Sequence, residues 1–201
     1  AGIGPEIAVA AWQALKAEIP MLWIGDPRHL PDGTAYHVAT DPSDIHHFKM
    51  TVLARDFGPA AIAGKSIPAH AKGVISAIAD GVALVQSGAA RALCTAPIHK
   101  AALIDGANFA YPGHTEYLAA LAGTQQVVMM LACDALRVVP ATIHIPIAEV
   151  PRKLTASLLT DTLLLTHAGL RRDFGIAKPR IAVAGLNPHA GEDGKMGLEE
   201  I

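Results

Sequence analysis

An α/β layer architecture with a mixed sheet is what this sequence predicts, and three observations carry that reading. Short apolar runs of strand type alternate with amphipathic helical stretches along the chain. Two strand-type runs in the middle, at residues 127–131 and 137–144, lie close enough in sequence to pair antiparallel. At 201 residues, with 51% hydrophobic and 17% charged side chains, the chain can bury a sizeable core and is poorly suited to disorder.

The elements follow in order. Ile7, Trp12, Leu15 and Ile19, spaced by alanines, predict a helix over 5–19 with proline in its first turn. Met21-Leu22-Trp23-Ile24-Gly25-Asp26 reads as a short buried strand closed by a turn. Prolines at 27, 31 and 42 and Gly33 then predict an irregular stretch of weak strands from 26 to 56. Val74, Ile78, Val82 and Val85 form the stripe of a second helix over 70–87, before a strand at 92–95 that runs into Pro97. A third helix is expected at 116–121, a long one at 154–170, and a last strand at 181–184. The turn-rich Asp105-Gly106-Ala107-Asn108 predicts a boundary between a first lobe, 1–107, and a second, 108–201. The chain opens on a loop that feeds a helix and closes on the start of another, so a fragment of a longer protein is expected.

Composition excludes some partners. The net charge is -2 with no run of basic residues, which argues against a nucleic-acid surface. No apolar stretch reaches the ~18 residues of a membrane span, and no signal-peptide pattern is visible. Cys94 and Cys133 lie in apolar strand-like runs and are expected to be buried free thiols in a reducing cytoplasm.

Two nucleotide-loop patterns fail on spacing. Gly58 to Ser66 looks like a phosphate loop but has one residue too many between its glycines, and Gly2-Ile3-Gly4-Pro5 has only the first two glycines of a dinucleotide fingerprint. Among ten histidines, His29, His37, His70 and His167 sit on expected loops or helix faces, and the adjacent His46 and His47 are expected to face solvent. His144 and His189 differ, since each follows an apolar run at an expected strand end, where ligands bind in open α/β sheets. Either could be a core histidine. Together they suggest a metal site assembled by the fold, with imidazole as the ligand and no third ligand evident in the chain. A third histidine, His114, lies in Pro112-Gly113-His114-Thr115-Glu116.

Thr95-Ala96-Pro97-Ile98-His99-Lys100, Pro112-Gly113-His114-Thr115-Glu116, Val127-Val128-Met129-Met130-Leu131 and Gly185-Leu186-Asn187-Pro188-His189-Ala190-Gly191-Glu192 resemble, in this order, the 4-hydroxythreonine-4-phosphate dehydrogenase family of vitamin B6 biosynthesis. Gly2-Ile3-Gly4-Pro5-Glu6 is similar to the opening of the wider isocitrate and isopropylmalate dehydrogenase fold, which implies three α/β/α layers in two lobes. The resemblance implies that His114 and Thr115 bind a phosphorylated hydroxy-amino-acid substrate and that His144 and His189 are two of three histidine ligands to one divalent metal, Zn, Mg or Co. The third ligand would come from a later segment, and the site would lie at the interface of a homodimer. It further implies oxidation of 4-phosphooxy-L-threonine by NAD or NADP to a β-keto acid, which decarboxylates to 3-amino-2-oxopropyl phosphate. No general base is assigned, though Lys100 and Asp105 are conceivable. Two alternatives stay open: a paralogous dehydrogenase of threonate or erythronate 4-phosphate, and a non-catalytic metal- or ligand-binding module on the same fold.

Overall fold

A computed structural model describes residues 2–124 and 126–201. The chain divides into two compact units, Ala1–Gln125 and Gln126–Ile201.

The first unit is built on a three-stranded parallel sheet in the order β1-β3-β2, with β1 at Leu22–Gly25, β2 at Tyr36–Val38 and β3 at Met50–Ala54. Parallel strands are buried and read as continuous apolar runs. Met-Thr-Val fits, with Met50, Thr51 and Val52 fully buried at the centre. The region expected to be irregular therefore holds the sheet's middle strand. Helix α1, Gly4–Leu15, lays Val9 and Trp12 against Leu30, Met50 and Val52. Its buried face is Pro5, Val9 and Trp12, whereas Ile7, Leu15 and Ile19 of the expected stripe are exposed. Positions four and three apart share one helix face, and Ile7 falls off it.

Helices α2 (Ala71–Gln86), α3 (Lys100–Ala107) and α4 (His114–Ala122) make a second cluster. Ala71, Ile78, Leu103, Phe109 and Tyr117 are its buried centre, and the Tyr117 hydroxyl donates to the Ile75 carbonyl at 3.0 Å. Packing this close needs a glycine at 106, where a Cβ would stand 1.8 Å from the Pro68 carbonyl oxygen. The division between units thus falls after α4, not at the turn of 105–108. Phe109, Tyr111 and Tyr117 meet in edge-on and tilted ring contacts and pack with α2 and α3, which ties 108–124 to the first unit. Helix α3 is absent from the sequence reading. His99 caps its start by accepting the Ala102 N–H, and Asn108 ends it in the left-handed conformation.

The second unit holds an antiparallel pair, β4 (Leu131–Ala132) with β5 (Arg137–Val138), then α5 (Val150–Lys153) and α6 (Ala156–Arg172). Thr155 caps α6 by accepting the Leu158 N–H. The expected antiparallel neighbours are there, but the ladder is only two residues long on each side. Residues 92–95 and 181–184, expected as strands, have no ladder partner among the described residues and are not strands. Cys94 and Cys133 are free thiols and are exposed, because the stretches carrying them are not buried strands. No helix among the described residues is long and apolar enough to cross a membrane.

Candidate functional site

His114 opens α4 directly after Gly113, whose extended backbone brings the chain into the helix. The first-turn N–H groups of a helix lack intrahelical acceptors and favour negative charge. Thr115 adds a hydroxyl at this end, and the Glu116 carboxylate folds back towards Gly113. The His114 Nε2 is buried and has no hydrogen-bond partner among the described residues. Burial pushes the His114 pKa down from the ordinary histidine value, so the ring is neutral at pH 7.

In the second unit His144 is exposed, with its backbone in the left-handed region at φ 57°. It follows β5 at a distance instead of closing it, since the strand ends at Val138. His189 sits in a turn held from several sides. Its N–H donates to the Asn187 Oδ1 at 2.8 Å, and the Asn187 side-chain amide donates to the Met196 carbonyl at 3.2 Å. Glu200 Oε1 accepts the N–H groups of Leu186 and Asn187 at 3.0 and 3.4 Å. The His189 Nδ1 lies 2.6 Å from the Glu192 Oε1.

The backbone that brings Glu192 there is unusual. Ala190, Gly191, Glu192, Asp193 and Gly194 all have positive φ, between 41° and 83°. Left-handed residues other than glycine cost roughly 1–2 kcal/mol each, and here three stand in one turn. Such strain persists only where the surroundings over-determine it.

Among the described residues no group of three or more His, Cys, Asp and Glu could hold a metal ion. An open depression of about 580 Å³ at the end of α6, against His167, Arg171 and Gly175, includes none of the four motif residues, so cavity shape does not locate the chemistry. Of the other histidines, His29 and His70 are buried with ring centroids 4.7 Å apart. His47 is exposed as expected, but His46 is half-buried and its Nδ1 accepts the N–H groups of Phe48 and Lys49. Glu192 was missed as a functional candidate, although a carboxylate three residues after a histidine is a readable signal.

Residues 10–201 match the family model described as pyridoxal phosphate biosynthetic protein PdxA. The chain belongs to this family. Among curated relatives it is 62% identical to the 4-hydroxythreonine-4-phosphate dehydrogenase of Roseobacter denitrificans, over 100% of its own length and 63% of the relative's. It is 58% identical to that of a Ruegeria species, covering 62% of it. The crystal structure of a 4-hydroxythreonine-4-phosphate dehydrogenase from Burkholderia phymatum superposes with a TM-score of 0.86 at 35% identity, over 100% of this chain and 64% of that one. A terephthalate 1,2-cis-dihydrodiol dehydrogenase from Burkholderia xenovorans aligns less well, with a TM-score of 0.67 at 26% identity over 99% of this chain and 62% of that one. The family fold is thus the α/β fold expected, and the chain spans about 63% of the length of the first of these relatives.

Proposed function

We propose that the protein to which this chain belongs oxidises 4-phosphooxy-L-threonine with NAD or NADP, in a metal-dependent step of vitamin B6 synthesis. The product is a β-keto acid that loses carbon dioxide to give 3-amino-2-oxopropyl phosphate. The reading rests on one observation above the others: family membership over residues 10–201, with the family's histidine turn folded so that His189 offers a nitrogen.

The donor chemistry fits a divalent cation. With Nδ1 engaged by a carboxylate, the His189 Nε2 is left to bind, the arrangement usual around metal-ligating imidazoles. His144, exposed in the same unit, supplies a second imidazole, and Zn, Mg or Co are the candidates. When cation and nicotinamide are bound, they supply polarisation of the substrate hydroxyl and acceptance of its hydride. His114 and Thr115 hold the phosphate at the start of α4, where free N–H groups and a neutral imidazole donate to an anion. No residue is assigned to the nicotinamide or to the general base. A cytoplasmic homodimer with the site at the subunit interface belongs to the same proposal.

The test is reduction of NAD and NADP by the full-length protein with 4-phosphooxy-L-threonine, and in parallel with threonate and erythronate 4-phosphates, with and without a chelator. Turnover of the amino substrate that chelation abolishes is expected. Turnover of the sugar acids alone would reassign the substrate, and metal binding without any reduction would favour a binding module.

A further inference from the structure

We propose that Glu192 is the positioning residue of His189, fixing the ring's orientation and its Nδ1–H tautomer so that Nε2 presents a lone pair to a divalent cation. The inference rests on the reading of His189 as a metal ligand and adds to it the device that prepares the ligand.

The geometry separates two jobs. The peptide carrying His189 is held by Asn187 and Glu200, through the Asn187 Oδ1 on its N–H and the Glu200 Oε1 on the two residues before Pro188. That leaves the ring free to rotate. Among the described residues, the hydrogen bond made by the ring is to the Glu192 Oε1, 2.6 Å from Nδ1. A neutral imidazole in water carries its proton mainly on Nε2, which would leave the outward nitrogen with no lone pair. A carboxylate accepting from Nδ1 reverses that preference.

Stability does not account for the arrangement. His189 and Glu192 are 52% and 51% exposed, so water screens the pair and it adds little to folding. Yet Ala190 and Glu192, on the path from His189 to the carboxylate, both hold positive φ, with the Glu192 N–H donating to the His189 carbonyl at 3.2 Å. A strained turn that yields little stability but fixes one ring nitrogen is what a prepared ligand requires.

The experiment uses the full-length protein, freed of metal, with histidine labelled in ¹⁵N and the His189 ring assigned by its loss in His189→Gln. At about pH 8, the wild-type His189 ring is expected to carry a proton on Nδ1 and none on Nε2. Glu192→Ala should move the proton to Nε2 and weaken Zn²⁺ binding about 10–100-fold, read by competition with a chromogenic chelator. Glu192→Gln, whose side-chain oxygen can accept the same N–H, should keep the tautomer and lose less affinity. A wild-type His189 protonated on Nε2 overturns the proposal without any variant having to fold. So does a folded Glu192→Ala that binds Zn²⁺ within twofold of wild type while His189→Ala does not bind. If His189→Ala itself binds Zn²⁺ unchanged, the ligand reading has failed and takes the proposal with it.

Discussion

Replacing His114 by leucine should make the protein more stable and less able to bind a phosphate ester. The His114 Nε2 is buried with no hydrogen-bond partner among the described residues, and an unsatisfied buried polar group costs roughly 1–3 kcal/mol. The ring is only partly buried, and leucine differs in shape, so a gain of about 1 kcal/mol is expected. The pH dependence gives an independent reading of the same residue. Burial lowers the folded pKa below the unfolded value near 6.5, so between the two the unfolded chain binds more protons. Stability therefore rises with pH through that window, is fully present above about 6.5, and is lost as pH falls through the window. His114→Leu should flatten this limb. Urea midpoints of the full-length protein, measured from pH 5 to 8 with and without inorganic phosphate, provide the assay. A bound anion at 100 times its Kd stabilises by about 2.7 kcal/mol, and the variant should lose that increment. A leucine variant destabilised by more than ~1 kcal/mol, with its phosphate response intact, would refute the reasoning.

Other substitutions test the frame that carries the site. Gly106→Ala places a Cβ 1.8 Å from the Pro68 carbonyl oxygen, backbone that cannot swing aside, and should cost about 3 kcal/mol by chemical denaturation. Asp26, fully buried at the end of β1, accepts from the Arg28 side chain and from the Arg28 and Phe57 N–H groups. Asp26→Ala should cost ~2 kcal/mol at pH 7, since Arg28 is half-exposed and can recover some hydration. The Arg28 guanidinium holds the Asp26 carboxyl well below the usual range, so its stabilisation is present above about pH 4 and lost as pH falls below it. The acid limb of the stability profile should shallow in that variant. Thr155→Ala removes the cap of α6 and should cost about 1 kcal/mol, visible as a lower thermal midpoint.

How much of this was legible depended on whether a segment's partners are local. Helices α2, α4 and α6 were readable within a few residues, because apolar spacing and a cap such as Thr155 are properties of the segment itself. Helix α3 was not, because Lys-Ala-Ala-Leu-Ile-Asp-Gly-Ala has a weak stripe and its cap is a histidine, an uncommon choice. Asn108 was the available signal, being a residue that tolerates the left-handed end of a helix. Strand β3 was expected only as one of the unplaced weak strands of 26–56, for a different reason. Met50 to Ala54 follows several turn residues, and the prolines around it drew the whole stretch into one irregular reading. Conversely, Ile181 to Ala184 looked like a strand because its composition is strand-like, but a strand exists only where a neighbour accepts its ladder. Ile181 and Val183 are exposed, so the composition alone was not enough.

The site shows the same division more sharply. That His114 begins a helix could be inferred from Gly113 and the alanines that follow, so its place beside the free N–H groups of a helix start was open to reading. The arrangement at His189 was only half legible. Its motif named the histidine, while the left-handed run from Ala190 to Gly194 was only partly visible: Gly191, Asp193 and Gly194 tolerate positive φ, but Ala190 and Glu192 do not favour it. Local preference would have sent the chain elsewhere and left Nδ1 in water. What holds the turn is a set of contacts from residues further along, Met196 and Glu200 on Asn187, which no window around His189 contains. The most chemically informative feature of the chain is therefore one where local propensity is overridden, and such conflict is expected where a site has been shaped for function and not for stability.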